Sequence, residues 1–228
     1  MSATELLYYL DPSTTGTATA LSLGNDTGRD YVVLDQTLFH PAGGGQKSDL
    51  GSIGGVPVVR AEKRQEEVYH FLGGEPRFAV SNIVPIAVDD TTRVLNSRYH
   101  TAGHVLGSVF EQVLQCAVVS GQHWPGESFM RFEREHLPTA EELQRCREMM
   151  DVVIQEDRPV TARMDGAMRL VTVDGFAPVP CGGTHVSSTG SIGAVDIGNP
   201  RAKQRRLQFS YRLVQADTMP LLPIPSAR

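Results

Sequence analysis

From Ser97 to Cys116 the chain reads SRYHTAGHVLGSVFEQVLQC, and this stretch divides two textures. It holds no proline, and Val105, Leu106, Val109, Phe110, Val113 and Leu114 recur at helical spacing. That period predicts an amphipathic helix. Upstream, short runs rich in branched and aromatic residues (Tyr31–Leu34, Val56–Val59, Val68–Leu72, Ile83–Val88) alternate with Gly, Asp, Asn and Pro clusters. Such runs predict the strands of a small barrel or sandwich. Pro57 and Pro85 fall inside two of them and are expected at edges or bulges, because proline cannot donate to a ladder.

Downstream, Thr139 and Glu142 form a capping box that opens a second helix, from about Ala140 to Gln155. Leu143, Cys146, Met150 and Val153 are its expected buried stripe. After Asp157 strands return: Leu207, Phe209, Tyr211 and Leu213 alternate with Arg206, Gln208, Ser210 and Arg212, the pattern of a half-buried strand. The end, MPLLPIPSAR, reads as a loose tail. The expected fold class is α+β, with a small β-barrel over residues 1–90 and a two-layer α+β unit over 91–228.

Bulk properties narrow the function. A chain of 228 residues has room for one large unit or two modest ones. No apolar run approaches the roughly 18 residues that cross a bilayer. The first residues, MSATELLYYLDPSTT, lack a basic n-region, so neither a signal peptide nor a membrane partner is expected. Cys116, Cys146 and Cys181 are an odd number and cannot all pair, which suits a reducing, cytoplasmic location. A net charge of −5 excludes a protein that coats nucleic acid indiscriminately. It leaves room for a local patch. The segment RAKQRR supplies one, with Arg201, Lys203, Arg205 and Arg206 either solvated or contacting phosphate.

Two pairs of residues carry metal chemistry. His100 and His104 are four apart, so on a helix both imidazoles project from one face and can reach one ion. The Glu of the HExxH metalloprotease pattern is missing, and with it the usual protease base. Further on, CGGTH places Cys181 and His185 four apart around two glycines that let the backbone bend tightly. Imidazole nitrogen and thiolate sulfur are donors that favour zinc, and three histidines with one cysteine make a tetrahedral set, so one Zn2+ per chain is expected. His40, His70, His123 and His136 stand alone and read as structural, although His40 precedes a glycine-rich loop. That loop, FHPAGGGQKSDLG from Phe39 to Gly51, must turn sharply or admit a close neighbour. It lacks the Walker ending and is not followed by a helix, so it is not read as a nucleotide cradle.

Taken together, HTAGH, CGGTH followed by STGSIG, and FHPAGGGQKSDLG resemble the editing region of alanyl-tRNA synthetase and its free-standing AlaX relatives. The resemblance spans about Val32 to Leu213 and lacks any aminoacylation domain. It implies ATP-independent hydrolysis of mischarged tRNA(Ala), Ser-tRNA(Ala) or Gly-tRNA(Ala), with the acceptor end of the tRNA as partner and no stable protein partner. His100, His104, Cys181 and His185 match the family's zinc ligands. Gly43, Gly44, Gly45 and Gln46 match a loop beside its pocket, and the basic run becomes a candidate for acceptor-stem contact. One departure matters. The family usually has Thr before the second histidine, where its hydroxyl helps recognise a seryl side chain, and here Gly103 stands there with Thr101 two positions away. Gly103 is therefore expected to leave a space, and Gly103→Thr to sharpen serine selectivity at no cost in folding. Four protein ligands would close a tetrahedral site, so catalysis is expected to need a loosely held His185 or His100, or five-coordination. Two other readings stay open: a tRNA-binding module with a purely structural zinc, and a different zinc hydrolase of small esters or amides.

Overall fold

The computed structural model describes residues 3–203 and 206–214, which are mixed α+β, mostly sheet with two helices. Eight strands precede the first helix: β1 Glu5–Leu6, β2 Thr15–Asp26, β3 Arg29–Leu34, β4 Gln36–Thr37, β5 Gly51–Ile53, β6 Val56–Arg64, β7 Glu67–Leu72 and β8 Ile83–Val88. Six of them, in the order β2-β3-β7-β6-β5-β8, close into a barrel filled by Val32, Leu34, Ile53, Ile86 and their neighbours. The longest, β2, is absent from the apolar runs because its buried residues include only the small Ala18 and Ala20. A closed circuit has no edge for a proline to occupy. Pro57 instead lies beside the register shift between Val58 and Arg60, and Pro85 just past the end of the β5–β8 pairing.

The first helix, α1, spans Asp90–Leu114 and so begins seven residues before Ser97. Asp89 caps it, its carboxylate accepting the Thr92 N–H at 2.7 Å. The early turns carry no hydrophobic period because they bury Arg93, Asn96 and Ser97. Arg93 forms a buried ion pair with Asp49 and donates to the Leu38 carbonyl, which ties the helix to the chain of the barrel. The second helix, α2, spans Ala140–Gln155 with the Thr139–Glu142 capping box in place. Cys146, Met150 and Val153 are buried and Leu143 is half-buried.

The remaining strands are β9 Val118–Gln122, β10 Phe129–Glu133, β11 Val160–Asp165, β12 Met168–Val173, β13 Val179–Pro180, β14 Val195–Ile197, β15 Arg201–Lys203 and β16 Arg206–Leu213. They make a sheet ordered β14-β16-β10-β9, with β15 also on β16, and a three-stranded sheet β11-β12-β13. Leu207, Phe209, Tyr211 and Leu213 all face inward, as their alternation predicts, and pack with Tyr99, Leu106, Phe110 and Phe132 of a second core. No helix among the described residues is long and apolar enough to cross a membrane. Arg205 and the MPLLPIPSAR end lie outside the described residues.

Candidate metal centre

Helix periodicity presents His100 and His104 on one side of α1, and the turn after β13 brings Cys181 and His185 up to them. One ligand atom from each lies within 4.8 Å of all the others. The Cys181 Sγ is 3.4 Å from His100 Nε2 and 3.3 Å from His185 Nε2. An ion held tetrahedrally at about 2.3 Å from sulfur and about 2.0–2.1 Å from nitrogen sets those edges near 3.5 Å. The donor set and its spacing therefore fit one borderline-soft divalent ion such as zinc.

What holds the donors is a set of hydrogen bonds that also fixes their protons. Gln46, 1% exposed, reaches from the glycine loop; its Oε1 accepts from His100 Nδ1 at 2.7 Å and from the Thr184 N–H at 3.0 Å. Its Nε2 donates to Thr184 Oγ1 at 2.9 Å, an oxygen that also accepts from Ser97 Oγ at 2.7 Å. An amide oxygen can only accept, so His100 carries its proton on Nδ1 and leaves the Nε2 lone pair toward Cys181. Thr101 does the same for His185. Its hydroxyl donates to the Ser97 carbonyl at 2.8 Å, so the 3.1 Å contact with His185 Nδ1 must be a bond that the imidazole donates. Thr101 and Gln46 thus stand behind the candidate ligands and orient them, as the outer partners in metal sites fix a histidine's tautomer. His104 has no such hydrogen bond among the described residues.

The glycines act by close approach as much as by turning. Gly44 and Gly45 have φ of 56° and 77°, the left-handed pair of a tight turn closed by two Gly43–Gln46 backbone bonds. In CGGTH neither glycine has positive φ. Gly183 is there because a Cβ would stand 2.1 Å from the His100 ring.

Burial favours neutral imidazoles and, despite a partial offset at Cys181, a neutral thiol. Burial depresses His104 to about 4 and pushes His100 and His185 well below the ordinary range, with neighbouring imidazoles adding to the effect on the last two. Burial raises the Cys181 thiol, while the Gly183 N–H and Arg169 pull it down. Arg169 is 8% exposed and has no carboxylate partner among the described residues. Its guanidinium donates to the carbonyls of Tyr9, Cys181 and Gly183, each at 2.8 Å. Nothing in its β12 sequence context, between Met168 and Leu170, distinguishes this residue.

Gly103 does not leave a space. A Cβ there would lie 2.2 Å from His123 Nδ1 and 2.8 Å from Tyr211 Oη. The His123 ring fills the position and stacks on His100, with centroids 4.4 Å apart and planes at 19°. His123 thus does not stand alone, and the sequence signals for its place are faint, a polar Tyr211 in an inward strand register and a glycine within a helix. His40 and His70 do behave as structural residues. Both are buried and depressed to about 4 by desolvation, His40 against the Lys47 carbonyl and His70 against Thr37 and the Val32 carbonyl. His136 is exposed. Of the basic run, Arg201 and Arg206 are exposed on the β15–β16 hairpin. Arg206 is five residues from Tyr211 on the same strand, about 17 Å at the usual rise.

Residues 168–208 match the family described as Threonyl and Alanyl tRNA synthetase second additional domain. The chain is 33% identical over 187 residues to the alanyl-tRNA editing protein AlaX-M of Pyrococcus horikoshii, a match covering 76% of this chain and 84% of that protein. It is 33% identical over 237 residues to the alanine–tRNA ligase of Korarchaeum cryptofilum and 30% identical over 217 residues to that of Methanococcus vannielii. Those matches cover 91% and 82% of this chain but 26% and 23% of the ligases, so it spans about a quarter of their length.

Proposed function

Since the chain belongs to the AlaX-type alanyl-tRNA editing family, we propose that it is a trans-editing deacylase of mischarged tRNA(Ala). Water cleaves the ester between the wrong amino acid and the terminal ribose. The products are the free amino acid and a tRNA whose ribose hydroxyl is restored. Ser-tRNA(Ala) is the leading substrate and Gly-tRNA(Ala) the second. The observation that carries this reading is the convergence of His100, His104, Cys181 and His185 on one point.

In this reading the four residues hold Zn2+, which when bound supplies Lewis acidity at the ester carbonyl and lowers the pKa of an attacking water to about 7. The chain's own residues do the rest. Gln46 and Thr101 keep the Nε2 lone pairs of His100 and His185 aimed inward, and Arg169 stabilises the Cys181 thiolate. The two histidines expected to be loosely held are the two most firmly bonded. His104, without a hydrogen bond among the described residues, is the ligand freest to yield. Gly43 and Gly44, with open space about them, are the part of the loop a substrate can approach. Residues 1–90 then serve as the unit that delivers Gln46, and 91–228 as the unit that binds metal. A closed four-ligand site also suits the structural-zinc alternative. Deacylation of Ser-tRNA(Ala) against Ala-tRNA(Ala) by the protein alone, in ATP-free buffer, divides the two.

Arg201, Lys203, Arg205 and Arg206 are proposed to contact acceptor-stem phosphates beyond the unpaired end. Changing Arg201 and Arg206 together to Ala should weaken tRNA binding at low salt. It should also reduce the slope of log affinity against log salt by about 1–2 units, as expected for two lost phosphate contacts. An unchanged slope, measured by titration at several salt concentrations, removes the patch from the interface.

A further inference from the structure

His123 is 5% exposed, and three of its edges are spoken for. One ring face lies on His100, the backbone N–H donates to the Gly45 carbonyl at 2.8 Å, and Nδ1 lies 2.7 Å from Tyr211 Oη. Tyr211 in turn donates its only proton to the Tyr99 carbonyl at 3.0 Å. Its oxygen must therefore accept from His123, which places the imidazole proton on Nδ1 and a bare lone pair on Nε2. No described residue bonds that Nε2. It is not sealed off either, since the buried side-chain atoms without a partner among the described residues are Asp49 Oδ1 and Asn96 Nδ2.

The surroundings are built to keep the ring there. Gly103, Gly121 and Gly45 all lack the Cβ that would strike it; at Gly121 that atom would stand 2.8 Å from Cε1 and 3.0 Å from Nε2. Lys47 Nζ sits 5.0 Å from the centroid of the adjoining Trp124 and fixes the glycine loop over the same segment. A histidine so confined, one ring spacing from a metal-ligating residue and with an unused acceptor, is more than a packing element.

We propose that His123 is a specificity residue whose Nε2 accepts a hydrogen bond from the side-chain hydroxyl of a seryl group bound at the metal centre, an inference that rests on the deacylase reading above. A neutral donor suits this place better than the substrate's ammonium. The buried Arg169 and a divalent ion put about three positive charges against one thiolate, and a further cation would be repelled. The imidazole thus supplies the polar contact that Gly103 cannot.

The test compares kcat/KM for Ser-tRNA(Ala) and Gly-tRNA(Ala), and the affinities of non-hydrolysable seryl- and glycyl-amide analogues of the terminal adenosine, with zinc content measured throughout. His123→Phe keeps the ring and removes the acceptor. His123→Asn keeps a donor to Tyr211 and leaves nothing at the Nε2 position. His123→Gln places an amide oxygen near Nε2. With zinc retained, the Ser-to-Gly ratio should fall about tenfold or more in Phe and Asn, in turnover and in analogue binding alike, and stay within a few-fold of wild type in Gln. A ratio unchanged in whichever of Phe or Asn folds and holds zinc overturns the proposal and leaves His123 as packing for His100. A wild-type protein that hydrolyses neither tRNA fails the deacylase reading instead, which the analogue affinities report separately.

Discussion

Gly103→Thr is expected to damage the protein, not to improve it. Threonine is a better mid-helix residue than glycine by roughly half a kcal/mol. Against that, its Cβ alone would stand 2.2 Å from His123 Nδ1 and 2.3 Å from Cε1, with Tyr211 Oη 2.8 Å away. All three atoms belong to a buried, hydrogen-bonded pair that cannot swing into solvent. Overpacking of this kind typically costs about 1–3 kcal/mol, and a rigid ring puts the cost at the upper end. For a chain of this size the melting temperature should fall by about 6–10 °C. Because His123 stacks on His100, the displaced ring should also lower metal affinity and turnover. A melting temperature equal to wild type, read by calorimetry or circular dichroism, would mean that residue 103 does not face His123.

Cys181→Ala should have the largest effect on the site. The substitution removes the only anionic donor of the set and leaves three neutral imidazoles beside the buried Arg169 charge. Zinc content should drop from about one per chain to below about a tenth after dialysis, with deacylation down by about a thousandfold. The contrast with Gln46→Ala makes the result specific. That change removes no ligand, only the acceptor that holds the His100 proton on Nδ1, and outer partners of this kind are worth about 10–100-fold in metal affinity. A graded series, with wild type above Gln46→Ala and both above Cys181→Ala, is the expected order. Full zinc occupancy in Cys181→Ala would place the ion elsewhere.

How far the sequence could be read depended on whether the information was local. Helix α2 announces itself through Thr139, Glu142 and an apolar stripe, and β16 through strict alternation, since both signals lie within a few residues. Helix α1 begins earlier than its apolar period because its first turns bury the polar Arg93, Asn96 and Ser97, and periodicity counts only apolar residues. Strand β2 escaped notice because a barrel interior has places where alanine fits and valine does not. The four residues of the candidate metal centre were legible as two i,i+4 pairs. Their orientation was not, because it depends on contacts between residues 46 and 184 or 100, far apart in the chain. The same holds for Gly103. A missing side chain looks like a vacancy in a sequence, and only the position of His123, brought in by β9, reveals that the volume is full.

The most direct test of zinc-dependent editing is release of amino acid from Ser-tRNA(Ala) and Ala-tRNA(Ala) by the wild-type protein, before and after treatment with a chelator and then with zinc. The expected result is rapid release of serine, slow release of alanine, loss of the serine reaction on stripping and its return on adding zinc. Equal rates on the two tRNAs, or no release by a fully zinc-loaded protein, would contradict the account and favour a metal that only holds the fold together.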